Sequence, residues 1–141
     1  MTDIGLVQMG FPTRVVAGPG CLKQLPQEMK ALGVKRALVV ADPGVEKVGL
    51  VDRVEQVLAK AGLSGGVYLG VSKNPIESDV LDGAEAYREL EADAIIALGG
   101  GAPMDVAKVI ALKVDHHEPI AAYDDLLDGY KKVKDILPPI I

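Results

Sequence analysis

The sequence predicts an α/β fold, a doubly wound parallel β-sheet with helices on both faces, from two observations. Short apolar runs alternate with longer segments of helical periodicity, and the runs begin every twenty to thirty residues. A strand, a crossover helix and the next parallel strand need about that length, and such crossovers are right-handed. The second observation is the apolar run that contains Ile95, Ile96 and Leu98, which is typical of a strand buried on both faces.

The first two strand–helix pairs fill the amino-terminal half. Strands are predicted at residues 13–17 and 37–41, and helices at residues 21–32 and 45–60. A glycine follows each helix, and glycine commonly ends helices because it accepts a left-handed backbone. The side chains expected to face the core are Leu22, Leu25, Met29 and Leu32 in the first helix and Val51, Val54, Leu58 and Ala61 in the second.

The carboxy-terminal half continues the alternation, with strands predicted at residues 67–71 and 94–98. The helix between them begins either at Asn74-Pro75 or near Ser78 and ends near Glu91. The last helix is apolar nearly all round, which indicates that another domain or subunit packs over it. A polar stretch follows, and the final six residues are expected to begin a further buried strand.

Composition excludes several classes of protein. The 141 residues carry a net charge of −5 and no basic stripe, so no nucleic-acid partner is expected. No apolar run approaches the roughly 20 residues that span a membrane, and the first ten residues do not resemble a signal peptide. The lone Cys21 excludes an internal disulfide and fits the reducing cytoplasm. His116 and His117 are adjacent and so lie on different faces, which argues against a metal site.

A glycine-rich turn is the most informative segment. Gly99, Gly100 and Gly101 follow the last predicted strand, and glycine leaves no Cβ between the main chain and a ligand. Pro103 fits the first turn of a helix, where its missing N–H is not needed. The free N–H groups of that turn and the positive end of the helix dipole suit a phosphate. The segment favours a dinucleotide or phosphate cradle over the alternative, a tight turn that binds nothing.

The same segment closely resembles a known signature. Residues 99–108 read GGGAPMDVAK, and the iron-containing (group III) alcohol dehydrogenases have GGGS-x-x-D-x-A-K. Residues 11–25 are similar to that family's first strand and F-G-x-G-x-L turn, residues 39–44 to its V-T-D-x-G segment, and Asn74-Pro75 to its N-P-T turn. Four matches in the same order are more specific than any one of them. Two hydroxyls of the pattern are missing, because Ala102 and Ile76 replace its serine and threonine.

The resemblance implies a Rossmann-like doubly wound domain of the dehydroquinate synthase type that binds NAD(P). In that family an all-helical domain follows and holds iron or zinc through one Asp and three His. The chain stops before such a domain, so residues 1–141 are expected to be the amino-terminal dinucleotide-binding domain of a longer cytoplasmic enzyme. That enzyme would transfer hydride between a small alcohol or aldehyde and nicotinamide. Residues 1–141 would hold no metal ligand or catalytic residue and would be inactive alone.

Ligands of open parallel sheets bind beyond the carboxyl ends of the strands, where this chain has turns at residues 18–20, 42–44, 72–75 and 99–104. Asp42 directly follows the second strand. A carboxylate there can accept the ribose hydroxyls and repel a 2′-phosphate, so NAD is expected in preference to NADP. The alternative is that Asp42 stabilises the following turn. By resemblance, the pyrophosphate is assigned to Gly99, Gly100, Gly101 and Ala102.

Four more residues are assigned to the two ends of the cofactor. Asn74 and Pro75 resemble the family turn on the adenosine side, or else Asn74 caps the following helix with Pro75 as its first residue. Asp105 and Lys108 would border the nicotinamide end. The alternatives are that the helix dipole favours Asp105 and that Lys108 pairs with it.

Two other functions stay open at this point. The chain could belong to another enzyme on the same scaffold, such as a glycerol or glycerol-phosphate dehydrogenase or a dehydroquinate synthase. It could also be a non-enzymatic α/β module that binds another ligand or a partner, since a fold alone does not determine function. The sequence leaves the formation of a homo-oligomer undetermined.

Overall fold

The structure is a computed structural model that describes residues 13–133 and 136–141. The strands are β1 (Arg36–Val40), β2 (Ser64–Tyr68) and β3 (Ala94–Ala97). The helices are α1 (Leu25–Ala31), α2 (Pro43–Lys47), α3 (Leu50–Lys60), α4 (Glu77–Glu89) and α5 (Gly101–Asp115). Short 3₁₀ turns lie at Cys21–Gln24, Ile120–Tyr123, Asp125–Leu127 and Gly129–Lys132.

The three strands form a parallel sheet in the order β2-β1-β3. Arg36 of β1 lies opposite Ser64 of β2, and Ala37 lies opposite Ala94 of β3. Because all three strands run in one direction, their carboxyl ends meet at one edge of the sheet. The predicted parallel α/β sheet is confirmed.

The end of the chain extends the sheet beyond β3. The Ile95 N–H donates to the Pro139 carbonyl at 2.9 Å, and the Ile141 N–H donates to the Ile95 carbonyl at 2.9 Å. The Ala97 N–H completes the ladder by donating to the Ile141 carbonyl at 2.8 Å. The prediction that the final residues begin another strand is confirmed, since this segment runs parallel to β3, but the expected burial was wrong, because Ile140 is 41% exposed.

Helices cover both faces of the sheet because successive side chains of a strand point to opposite faces. Ala37 and Val39 of β1 face α1 and α3, and Leu38 and Val40 face α4 and α5. The first layer is centred on Met29, Val54, Leu58 and Ile96, and the second on Ala84, Ile95, Ala107 and Ile110. Each of the buried Val, Leu, Ile and Met side chains contributes about 1.5–3 kcal/mol through burial, and each alanine contributes less. The doubly wound architecture is therefore confirmed.

Two strand predictions were wrong. Residues 13–17 form no strand and are exposed, because no described strand lies beside them to supply hydrogen bonds. The strand predicted at residues 67–71 begins three residues earlier, at Ser64. Gly65 and Gly66 carry no apolar signal, but they pair with Ala37 and Leu38. A Cβ on Gly65 would lie 2.9 Å from the Ala37 carbonyl oxygen, so close approach of the two backbones explains this glycine.

Two helix predictions were also wrong in detail. The helix predicted at residues 45–60 is divided into α2 and α3, because Gly49 adopts a left-handed backbone with φ of 76°. The helix predicted at residues 21–32 begins as a 3₁₀ turn. Leu32 is 50% exposed and Ala61 is exposed, although both were expected to face the core.

The apolar helix α5 is covered largely by this chain. The sheet lies on one side, α4 packs along another, and Ile120 contacts the same core from the segment that follows α5. Lys113 is buried, and its Nζ donates to the Glu118 carbonyl at 2.6 Å. Cover by another domain or subunit is therefore not needed over most of α5, although Met104 is 44% exposed. Within the described residues, no helix has both the length and the apolar character to cross a membrane.

Candidate functional site

Three loops at the carboxyl edge of the sheet line a cleft of about 390 Å³. Residues 42–44 follow β1, residues 71–73 follow β2, and residues 100–103 follow β3 and start α5. This is where parallel α/β sheets bind ligands, and the volume lies within the range of about 300–1,000 Å³ typical of ligand pockets. The turn at residues 18–20 was expected here but does not line the cleft, because no strand precedes it.

A larger groove of about 700 Å³ lies elsewhere, between α1, the segment before it and the end of the chain. It is mainly apolar and is lined by Leu22, Leu25 and Ile141, among others. None of the residues assigned to the cofactor lines it. The chemistry predicted from the sequence therefore belongs to the smaller cleft.

Asp42 caps the amino end of α2 from the wall of the cleft. Its Oδ1 accepts hydrogen bonds from the Gly44 N–H at 2.7 Å and the Val45 N–H at 3.0 Å. The alternative role of Asp42, stabilising the Pro43-Gly44 turn, is confirmed. The second carboxylate oxygen, Oδ2, accepts no hydrogen bond from any described residue. Asp42 can therefore hold the turn through one oxygen and accept a ribose hydroxyl through the other.

The three glycines of the turn after β3 have two different tasks. Gly99 has φ of +143°, and a Cβ there would lie 2.8 Å from Pro103 Cγ and 3.2 Å from Val45 Cγ2. Only glycine fits this backbone and this close packing. A Cβ on Gly100 or Gly101 would meet no atom within 4 Å, and both residues line the cleft. Gly99 thus shapes the turn, while Gly100 and Gly101 leave open space above the main chain.

The amino end of α5 faces the cleft without a side-chain cap. The N–H groups of Gly101 and Ala102 have no partner within the helix, since the first intrahelical bond runs from the Met104 N–H to the Gly100 carbonyl at 3.3 Å. Pro103 lies in the first turn, as the sequence predicts, and the structure adds that it is fully buried. Two free donors and the dipole of a 15-residue helix make this end suited to an anion.

The third wall is the loop at residues 69–76, whose Val71, Ser72 and Lys73 line the cleft. Lys73 is exposed and forms no ion pair with any other described residue. Asn74 and Pro75 are exposed on the same loop but do not line the cleft. The alternative in which Asn74 caps the helix is wrong, because Ile76 occupies the N-cap position of α4.

Asp79 is a buried carboxylate in the first turn of α4 that was not among the residues predicted from the sequence. Its Oδ2 accepts from the Ser72 N–H at 2.9 Å and the Ile76 N–H at 3.3 Å, and its Oδ1 accepts from Ser72 Oγ at 3.1 Å. Burial alone would raise the pKa of Asp79, but these hydrogen bonds outweigh burial and hold the pKa below its usual value. An acid three residues after the N-cap was the available signal.

Asp105 and Lys108 lie on the outer face of α5. Lys108 Nζ and Asp105 Oδ1 are 3.2 Å apart, and both side chains are largely exposed. The expected alternative, that the two residues pair, is confirmed. Neither lines the cleft, and their place beside nicotinamide stays a prediction.

Over residues 13–133 and 136–141, no three His, Cys, Asp or Glu side chains come close enough to hold a metal ion. His116 is buried beyond the end of α5, where its Nδ1 lies 2.8 Å from the Leu112 carbonyl oxygen. Its ring meets the Tyr123 ring edge-on, with the centroids 5.6 Å apart. The surroundings of His116 are those of a packed structural histidine.

The chain is similar in sequence or in fold to several dehydrogenases and reductases. Choline dehydrogenase of Bacillus subtilis (strain 168) is 36% identical over 130 residues, which cover 92% of this chain and 32% of that protein. NADH-dependent butanol dehydrogenase A of Thermotoga maritima superposes with a TM-score of 0.81 at 26% identity, over 96% of this chain and 33% of that one. Sulfoacetaldehyde reductase of Bifidobacterium kashiwanohense, solved in complex with NAD+, superposes with a TM-score of 0.74 at 26% identity, over 87% of this chain and 31% of that one.

The chain spans about a third of the length of the curated relatives it matches. Its residues 12–141 match the sequence model of a family described as iron-containing alcohol dehydrogenase. The match extends over more than nine-tenths of the chain and includes all three walls of the cleft. The chain belongs to the iron-containing alcohol dehydrogenase family.

Proposed function

We propose that residues 1–141 are the NAD-binding part of a metal-dependent alcohol dehydrogenase that transfers hydride between a primary or secondary alcohol and nicotinamide. The observation that carries this proposal is the open space above Gly100 and Gly101, at the uncapped end of α5. Asp42 lies on another wall of the same cleft. Two structural relatives, one NADH-dependent and one solved in complex with NAD+, support the choice of cofactor.

The pyrophosphate is proposed to lie over Gly100 and Gly101. The N–H groups of Gly101 and Ala102 donate to its oxygens, and the positive end of the α5 dipole favours its charge. Ala102 lacks the serine hydroxyl of the family pattern, and a lost hydrogen bond to a charged group costs about 1.5–3 kcal/mol. The main-chain donors remain, so NAD binding is weaker than with serine at this position but persists.

The adenosine ribose is proposed to lie beside Asp42. Its Oδ2 accepts a ribose hydroxyl, while Oδ1 keeps the α2 cap. A 2′-phosphate there would face a carboxylate, so NAD is favoured over NADP. Asn74 and Pro75 would border the adenosine side, and Asp105 and Lys108 the nicotinamide side.

The bound dinucleotide supplies the carbon that accepts or donates hydride. Because the chain spans about a third of the length of its curated relatives, we propose that the remainder of the enzyme supplies the ligands of the iron or zinc. This chain alone is then expected to bind nucleotide without turning over alcohol. A cytoplasmic location stays a prediction from the lone Cys21.

Titration of the purified chain with NAD and NADP, followed by calorimetry and by the melting temperature, tests the proposal. NAD at 100 times its Kd would stabilise the folded state by about 2.7 kcal/mol. Asp42→Asn keeps a good N-cap but removes the charge, so the preference for NAD over NADP should narrow at least about tenfold, or 1.4 kcal/mol.

Asp124→Asn is the matched control, because Asp124 also caps a turn, through Oδ1 to the Leu126 N–H at 2.9 Å, away from the cleft. It should leave both affinities unchanged. The absence of a shift with either nucleotide at millimolar concentration would reject NAD binding by this chain. If Asp42→Asn and Asp124→Asn narrowed the preference for NAD over NADP equally, the placement of the adenosine ribose beside Asp42 would be rejected.

A further inference from the structure

The loop at residues 69–76 is tied to a single buried residue at several points. Tyr68, just before the loop, donates from Oη to the Asp79 carbonyl at 2.7 Å. Ser72, in the middle, donates to the Asp79 carboxylate from both N–H and Oγ, and Ile76, at the end, donates from N–H. Asp79 therefore holds the beginning, middle and end of a segment that has no regular secondary structure.

The arrangement needs a branched polar side chain at this place, with one atom that accepts from two N–H groups and a second that bonds to the Ser72 hydroxyl. Asp79 is only 5% exposed and forms no ion pair with another described residue, so N–H and O–H groups alone stabilise its charge. Gly70 passes against the Tyr68 ring, where a Cβ would overlap the ring. The loop is thus packed on Tyr68 and bonded to Asp79, which leaves Ser72 and Lys73 on the wall of the cleft.

We propose that Asp79 is a positioning residue for the dinucleotide, because it holds the 69–76 loop in the shape that forms the third wall of the cleft. This inference rests on the proposed function. Asp79 does not line the cleft and acts through Ser72 and Lys73, which do. Lys73 brings an unpaired positive charge to that wall, and the cofactor carries the opposite charge on its pyrophosphate.

The test compares three variants by their Kd for NAD at a temperature where each is fully folded. Asp79→Ala removes all three side-chain hydrogen bonds and should weaken NAD binding at least tenfold. Asp79→Asn can still accept from the Ser72 and Ile76 N–H groups and donate to Ser72 Oγ, so its Kd should return to within threefold of the wild-type value.

Asp93→Ala is the matched control. The Asp93 carboxylate accepts from the Lys35 N–H at 2.9 Å and the Arg36 N–H at 2.8 Å, at the opposite edge of the sheet. Asp93→Ala should lower the melting temperature and leave the Kd for NAD within twofold of the wild-type value. A merely structural Asp79 would behave in the same way, with a lower melting temperature and an unchanged Kd, and that result would overturn the inference.

Amide hydrogen exchange provides a readout that needs no nucleotide. The Ser72 N–H should exchange at least tenfold faster in Asp79→Ala than in wild type, and the Lys35 N–H should not change. Unchanged exchange at Ser72 overturns the positioning role even if the wild-type chain binds NAD. If the wild-type chain binds no NAD, the proposed function fails instead. Should Asp79→Ala not fold, Ser72→Ala removes one of the bonds and must still weaken NAD binding measurably.

Discussion

Replacing Gly101 by alanine separates ligand binding from folding. Gly101 is the first residue of α5, and a Cβ there would meet no protein atom within 4 Å. Alanine is favoured over glycine in a helix by about 0.5–1 kcal/mol, so Gly101→Ala should be at least as stable as the wild type. In the proposed complex the added methyl group occupies the side from which the pyrophosphate approaches. Loss of one hydrogen bond to a charged group costs about 1.5–3 kcal/mol.

That cost corresponds to a Kd for NAD raised about ten- to a hundredfold, which isothermal titration calorimetry measures directly. Gly99→Ala is the contrasting variant, because Gly99 has φ of +143° and a Cβ would lie 2.8 Å from Pro103 Cγ. Backbone strain alone costs about 1–3 kcal/mol, so Gly99→Ala should melt several degrees lower. A Gly101→Ala chain that is folded and binds NAD with unchanged Kd would refute the placement of the pyrophosphate.

Two further predictions concern titration and the surface of α5. Burial, with smaller contributions from nearby carboxylates, raises the pKa of both Tyr68 and Tyr87 to about 12. The unfolded chain loses these two protons at lower pH than the folded chain does. The free energy of unfolding should therefore be intact below pH 10 and fall as pH rises from 10 towards 12. In urea titrations, Tyr87→Phe should show a weaker pH dependence than the wild type. Lys108→Ala removes an exposed ion pair with Asp105, so the free energy of unfolding should change by less than about 1 kcal/mol. A larger loss in the same urea titrations would show that the pair stabilises the fold.

Local sequence patterns predicted most of the sheet and its connections. The strands around Leu38 and Ile95 are continuous apolar runs, and these runs alone were enough to locate them. The tight turn at Gly99 could be predicted from its glycine, because the positive φ and the close packing at this position exclude other residues. The strand that begins at Ser64 was predicted three residues too late, because Gly65 and Gly66 are in the strand through their pairing with β1 and have no apolar side chains that would indicate it.

The candidate site was predicted less completely than the fold. Asp42 was identified from its position after a strand, and the structure adds that one of its oxygens is committed to Gly44 and Val45. Asp79 was missed, since its partners Ser72 and Ile76 are brought to it by the path of a loop that no periodicity describes. The position of Asp79 three residues after the N-cap indicates a capping acid, but its bonds to the loop depend on the path of residues 69–76, which the sequence does not predict.

The central position of β1 has a consequence for how the sheet assembles. β1 is the first strand of the described residues, and both strands that pair with it, β2 and β3, follow much later in the sequence. Arg36 and Ser64 are 28 residues apart, and Ala37 and Ala94 are 57 apart. Closing a loop of twice the length costs only about 0.6 kcal/mol more. Loop-closure entropy therefore favours the β1–β2 pairing over the β1–β3 pairing by only about 0.6 kcal/mol, although one loop is twice as long as the other.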